Sequence, residues 1–197
     1  MPDCFPCNPK AIWQSLKPYF NFNVNGDFNM SISLYQVSVP VFIKFLGNLS
    51  LILDKASAFA AEKKIEQSVL LDTRLYPNMF TFSRQLQRVA DHATSYSARL
   101  AGLPPPAFDI PLNTIGDYQA LIKASIEFLS GLEVSQIDGQ ESREISIPRG
   151  TEVRVVQGQT HLLNNILPNF YFHLTTAYAV LRSIGVDVGK QDFLGRA

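Results

Sequence analysis

Long segments with apolar residues at every third or fourth position constrain the fold of this chain more than any other feature. The most regular one runs from Pro77 to about Ala101 and is expected to form the second helix. Its apolar positions follow a strict 3-4-3-4-3-4 spacing and are Met79, Phe82, Leu86, Val89, Ala93, Tyr96 and Leu100. This spacing places the side chains on one helical face and is typical of helical bundles.

Three further segments carry the same kind of pattern. They are Leu34–Lys63, Thr114–Gly131 and Gln159–Ile184, with Pro40 near the start of the first. In the third helix, Thr114 is expected to cap the first turn, close to the Asp117 carboxylate. In the fourth helix, Thr160 is the expected cap and Gly185 the expected stop. The four segments predict an all-α fold, an antiparallel four-helix bundle.

Between the third and fourth helices the apolar period changes from about four to two. Ile145 and Ile147 alternate with polar residues, and so do Val153 and Val155, with a turn over residues 148–151. This alternation predicts a β-hairpin inserted into an otherwise helical chain. An isolated hairpin is only marginally stable, so we expect it to lie on the bundle or on a partner.

The first 29 residues differ in composition from the rest of the chain. They are rich in proline and asparagine and lack a periodic apolar face. We interpret residues 1–29 as a loosely ordered extension and residues 30–197 as the bundle domain. Cys4 and Cys7 lie in this extension, where two thiolates fall two ligands short of a tetrahedral zinc site. We interpret them as unpaired thiols.

Charge and hydropathy exclude some partners. Seventeen basic and seventeen acidic residues give a formal net charge of zero, which argues against nucleic-acid binding. No apolar run approaches the about 20 residues of a membrane-spanning helix, so no membrane association is expected. No secretory signal is visible, and the expected compartment is the cytoplasm.

The inner face of the fourth predicted helix is partly polar and marks the candidate site. Asn169, His173 and Thr176 recur there among apolar residues, and Gln85 belongs to a polar run on the second helix. Such side chains either hydrogen-bond to facing helices or line a ligand-binding cavity. His92 lies beside the apolar seam of the second helix, whereas His161, Gln87 and Arg88 are expected on solvated faces.

Three stretches of the chain resemble the family known as domain of unknown function 1993. They are Leu75–Phe80, Pro168–His173 continuing to Leu181-Arg182, and Gly189–Gly195. This family is similar to the DinB/YfiT-like bundles, and the resemblance implies an antiparallel four-helix bundle that is often a homodimer.

The resemblance also implies a candidate metal site. Many DinB-like proteins hold a divalent metal, such as zinc or nickel, with one histidine from the second helix and an H-x-x-x-H pair on the fourth. His173 matches the second position of that pair and His92 loosely matches the second-helix ligand, whereas Asn169 stands at the first position.

Three functions are compatible with this sequence. The first is binding of a small molecule in a polar central cavity lined by His173, Asn169, Thr176 and Gln85. The second is a metal-dependent hydrolase or thiol transferase with His92 and His173 as ligands. The third is a protein-interaction module that uses the edge of the hairpin.

Overall fold

The computed structural model describes residues 33–196, which are mostly helical with one small antiparallel hairpin. The predictions for residues 1–29, including Cys4 and Cys7, lie outside the described residues. The long helices are α1 (Val39–Lys63), α3 (Phe82–Leu100), α4 (Ile115–Ser130) and α7 (Leu167–Ser183). The short helices are α2 (Gln67–Asp72), α5 (Val134–Ile137), α6 (Gly158–His161) and α8 (Lys190–Leu194). The hairpin consists of β1 (Glu144–Arg149) and β2 (Glu152–Gln157).

Two helices begin later than the apolar pattern predicted. Helix α1 begins at Val39 instead of Leu34, with Pro40 in the first turn, where its missing N–H removes no helical bond. Helix α3 begins at Phe82 instead of Pro77 because the Thr81 side chain caps it by accepting from the Arg84 N–H at 3.2 Å.

The start of α4 agrees with the prediction. The Thr114 hydroxyl accepts from the Asp117 N–H at 3.1 Å, and the Asp117 carboxylate accepts from the Thr114 N–H at 2.8 Å. These two bonds form a capping box, which satisfies N–H groups that have no partner within the helix.

The fourth helical segment is interrupted, which the sequence pattern did not predict. A π-helical turn at Leu162–Ile166 separates α6 from α7, and Leu167 N–H bonds to the Leu162 carbonyl. The next residue, Pro168, has no N–H and cannot continue the ladder of hydrogen bonds at this point. Thr160 is an exposed residue inside α6 and does not cap it, since Gln157 holds the N-cap position.

The long helices bury their apolar faces in a common core. Helix α3 packs against α7 and α4, and helix α1 packs against α4 and α8. Two fully buried rings, Phe42 of α1 and Phe170 of α7, lie 4.8 Å apart between their centroids. Burial of these rings links the first helix to the last, because each removes a large apolar surface from water.

The hairpin presents one apolar face to the helices and another to solvent. Ile145 pairs with Val156 and is only 2% exposed, whereas Val153 and Val155 are 64% and 54% exposed. The register places Val156 opposite Ile145 and Arg154 opposite Ile147, so Val153 and Val155 lie on the other face of β2, toward solvent. The prediction of a hairpin is confirmed, and its contact with the helical core is made by Ile145, with Ile147 and Val156 partly buried beside it.

Candidate functional site

A cleft of about 350 Å³ lies where helix α3, the hairpin and the start of the fourth helical segment meet. We call it the histidine cleft. Its lining includes Arg88, His92 and Arg99 from α3, Ile147 from β1, and His161 and Ile166 from the last segment. Both polar and apolar side chains therefore face one small volume, as is usual for ligand sites.

The site contains a pair of buried histidines, His92 of α3 and His173 of α7. Their side chains are 9% and 7% exposed, and their ring centroids are 5.5 Å apart with ring planes inclined by 14°. Burial lowers the pKa of His92 to about 3, with further lowering by the positive charge of Arg88. Burial and the charges of Arg88 and Arg84 lower the pKa of His173 to about 4. Both rings are therefore neutral at pH 7.

Hydrogen bonding determines which nitrogen of His173 carries the proton. Its Nδ1 lies 2.6 Å from Oε1 of Gln85, while the Gln85 Nε2 donates to the Phe80 carbonyl at 3.4 Å. This second bond assigns Oε1 as the atom facing the imidazole, and an amide oxygen only accepts. The proton is therefore on Nδ1, and Nε2 of His173 carries the lone pair.

His92 also has its lone pair on Nε2, but this nitrogen accepts a hydrogen bond from an arginine. The Arg88 Nη2 lies 3.1 Å from His92 Nε2, and a guanidinium is only a donor. Arg88 also forms a 3.3 Å ion pair with Asp91. The expectation of a solvated Arg88 is therefore wrong, because the side chain is partly buried and bonded to a buried histidine.

His161 also differs from its expected exposure. It is half-buried in the histidine cleft, with its ring centroid 6.0 Å from that of Tyr96. Burial makes the largest contribution to lowering the pKa of His161, and the positive charges of Arg154 and Arg99 lower it further. The Tyr96 hydroxyl donates to the Gly158 carbonyl at 3.2 Å, and burial raises the pKa of this tyrosine.

Only two of the four predicted ligand-binding residues are bonded to each other in the structure. His173 and Gln85 are bonded to each other, and His92 lies beside them. The Asn169 amide instead donates to the Asn165 carbonyl at 2.7 Å, and the Thr176 hydroxyl donates to the Phe172 carbonyl at 2.7 Å. Both side chains are thus satisfied within their own helical segment.

Three residues that line the histidine cleft were not predicted as site residues from the sequence: Arg88, Arg99 and His161. A signal was present for the first two, because Arg88, His92, Ser95 and Arg99 follow steps of four, three and four. This polar stripe runs beside the apolar seam on the same helix.

The side chains present do not match a catalytic metal centre. The ring centroids of His92 and His173 are 5.5 Å apart, but two histidines are too few, because a catalytic zinc has three protein ligands. The His92 lone pair is bonded to Arg88, and an amide such as that of Asn169 is a poor ligand. Within residues 33–196, no group of three or more His, Cys, Asp or Glu side chains could hold an ion.

Comparison with solved structures places this arrangement in a known class. The crystal structure of a DinB family member protein from Shewanella denitrificans matches with a TM-score of 0.76 and 38% sequence identity. The match covers 82% of this chain and 92% of that chain. The fold is thus that of a DinB-like helical protein.

The family model of DUF1993, a domain of unknown function, matches residues 34–194 of the chain. The chain belongs to the DUF1993 family, and the resemblance predicted from three short stretches is confirmed. Among curated proteins, none matches the chain. In the part of the chain that the structure describes, no helix has the length and hydropathy needed to cross a membrane.

Proposed function

We propose that this protein binds a small molecule in the histidine cleft and does so without a resident metal. The observation that carries the proposal is the bond from Arg88 to His92 Nε2 at the edge of the cleft. A buried neutral imidazole and an arginine held in place by it are preorganised polar groups, which a small ligand requires for orientation.

The location of the cleft differs from the central cavity that the sequence suggested. His173 stacks on His92 and is itself bonded to Gln85, and neither His173 nor Gln85 lines the cleft, whereas Ile147 and Ile166 provide apolar contact in it. A larger depression of about 860 Å³ lies between α1 and α4, beside Gly47 and Ile122. We favour the histidine cleft because its lining combines buried titratable groups with apolar side chains.

We also propose that the long helices form an antiparallel four-helix bundle and that the protein works in the cytoplasm. Contacts of α1 with α4, of α4 with α3, and of α3 with α7 support a bundle of these four helices. Weaker packing of α7 on α1 would complete the cycle.

The proposal predicts that filling the cleft abolishes ligand binding and leaves the fold intact. Ser95 lines the cleft and is half-buried, so Ser95→Trp is expected to block it. Ser130→Trp places the same ring at an exposed end of α4 and is the matched control. A fragment library is screened by NMR on the imidazole signals of His92 and His161. The proposal is supported if a fragment shifts these imidazole signals saturably in Ser130→Trp but not in Ser95→Trp. It is contradicted if no fragment in the library does so.

One observation favours a metal-dependent hydrolase or thiol transferase as the second candidate. The Nδ1–H tautomer of His173 leaves Nε2 available, as in histidines that bind metals through this atom. Elemental analysis of the purified protein decides between the candidates. We expect far less than one zinc or nickel per chain. Stoichiometric metal that is lost in His173→Ala would instead support the enzyme.

A homodimer and an interaction module are further proposals, each supported by an exposed apolar surface. One surface carries Leu75 and Phe172, which are 44% and 56% exposed and line the same shallow pocket, and the other carries Val153 and Val155 of the hairpin. Light scattering on the wild type, Leu75→Ser/Phe172→Ser and Val153→Ser/Val155→Ser tests both. We expect the wild type to have the mass of a dimer and one of the two double variants to have the mass of a monomer. A monomeric wild type would contradict the homodimer, and unchanged masses would contradict both surfaces.

A further inference from the structure

The histidine cleft carries more positive charge than the described residues neutralise. Arg88 is paired with Asp91, but no carboxylate within residues 33–196 lies within 4 Å of a nitrogen of Arg99. The positive charges of Arg154 and Arg99 also act on the imidazole of His161. His92 and His161 remain neutral at pH 7 because burial lowers the pKa of each. At least one cation therefore faces the cleft without an anionic partner among these residues.

The two arginines of helix α3 bend toward each other along the helix. Arg88 reaches forward by one turn to His92 Nε2 at 3.1 Å, and Arg99 reaches back by one turn to the Ser95 carbonyl at 3.4 Å. The Cα atoms of Arg88 and Arg99 are about 16 Å apart along the axis, and those of the residues that they contact, His92 and Ser95, are about 5 Å apart. Both arginines therefore extend toward the middle of the cleft that they line.

Each guanidinium has donors that remain free for a ligand. A guanidinium has five N–H groups, of which Arg88 uses two, on Asp91 and His92, and Arg99 uses one. Planar guanidinium groups match the oxygens of carboxylates and phosphates, and such charged bonds are stronger than neutral ones. The hairpin and the last helical segment add the apolar side chains of Ile147 and Ile166 to the lining, beside the polar His161 and Asn165.

We infer that the ligand of the histidine cleft is a small organic oxyanion, a carboxylate or phosphate ester with an apolar body. Arg88 and Arg99 would hold the anionic group, and Ile147 and Ile166 would contact the apolar body. This inference rests on the proposed function, since it names the chemical class of the molecule that the cleft binds.

Matched ligand pairs test the anionic requirement. Benzoate and phenyl phosphate are titrated into the intact protein by NMR, with benzamide and benzyl alcohol as neutral counterparts. We expect an anion to bind at least tenfold more tightly than its neutral counterpart. Because a bound anion stabilises the imidazolium form, the pKa of His161 is expected to rise on binding. Whichever of benzoate and phenyl phosphate binds more tightly shows whether the cleft prefers a carboxylate or a phosphate ester.

Arginine variants then locate the anion. Arg88→Gln and Arg99→Gln are each expected to weaken binding of the preferred anion about tenfold or more. Arg182→Gln removes the same charge from an exposed position on α7 and is expected to leave binding unchanged. Equal binding of neutral and anionic probes, or equal loss in Arg182→Gln, overturns the oxyanion and leaves the small-molecule site intact. Failure of every probe and every library fragment overturns both proposals together.

Discussion

Lowering the pH from 7.5 to 5 is expected to reduce the free energy of unfolding by about 2–4 kcal/mol. His92 and His173 have pKa values of about 3 and about 4 in the folded protein, whereas an unfolded histidine has a pKa of about 6.5. Below pH 6.5 the unfolded chain gains protons at both positions and the folded chain does not. Stability is therefore complete above this pH and falls as the pH decreases toward 4.

The groups around the two rings strengthen this dependence. Arg88 and Arg84 face the imidazoles from α3, and His161 faces His92 from the other side of the cleft. Protonation of either ring would place positive charges against positive charges with little water to screen them. Most carboxylates titrate near pH 4 in unfolded chains, so the range from pH 6.5 to 5 reports mainly on histidines.

Urea denaturation at several pH values measures the effect. His92→Gln retains a polar side chain without a titrating ring, and we expect it to lose about half of the pH dependence. His161→Gln alters a ring that is less buried and is expected to change the slope less. A free energy of unfolding that stays constant between pH 7.5 and 5 would show that the rings are charged in the folded protein or exposed to water.

Replacing Phe170 by alanine is expected to reduce the free energy of unfolding by about 3–5 kcal/mol. The ring is fully buried on α7 and lies 4.8 Å from the ring of Phe42 and 5.6 Å from that of Tyr171. Its removal takes away the transfer free energy of the ring and leaves a cavity between the first and last long helices.

Phe172→Ala is the matched control because it removes the same ring from the same helix. Phe172 is 56% exposed in the single chain, so its loss is expected to change the stability of the monomer by about 0.5 kcal/mol or less. Chemical denaturation of both variants compares a buried and an exposed phenylalanine two positions apart. Similar losses in the two variants would mean that α7 does not turn Phe170 toward the core and Phe172 toward solvent.

Much of the fold was predictable because local chemistry determines helix ends and faces. Thr114 caps α4 as predicted, and Gly185 ends the last long helix with a positive φ of 97°. The spacing of apolar residues also indicated that His173 would face the interior. The late start of α3 was not predicted, because Thr81 and the apolar seam compete to define the first turn.

The candidate site was predictable only in part. Periodicity identified His173 as a polar residue on a buried face and placed His92 beside the seam, but it did not identify their neighbours. The assignment of Arg88 to solvent was wrong because an arginine at the border of a helical face either extends into water or folds onto that face. The choice depends on whether another element covers the border, and here the hairpin and the π-helical turn lie beside it.

The sequence by itself determined which residues form helices and which faces become buried, because these depend on interactions within a few residues. The tertiary structure alone decided that Arg88 bonds to His92, that Gln85 holds His173, and that the hairpin turns Val153 and Val155 outward. Such pairings depend on strand register and on the packing of segments far apart in the chain. Spacing along one segment carries no information about which distant side chain will lie against it.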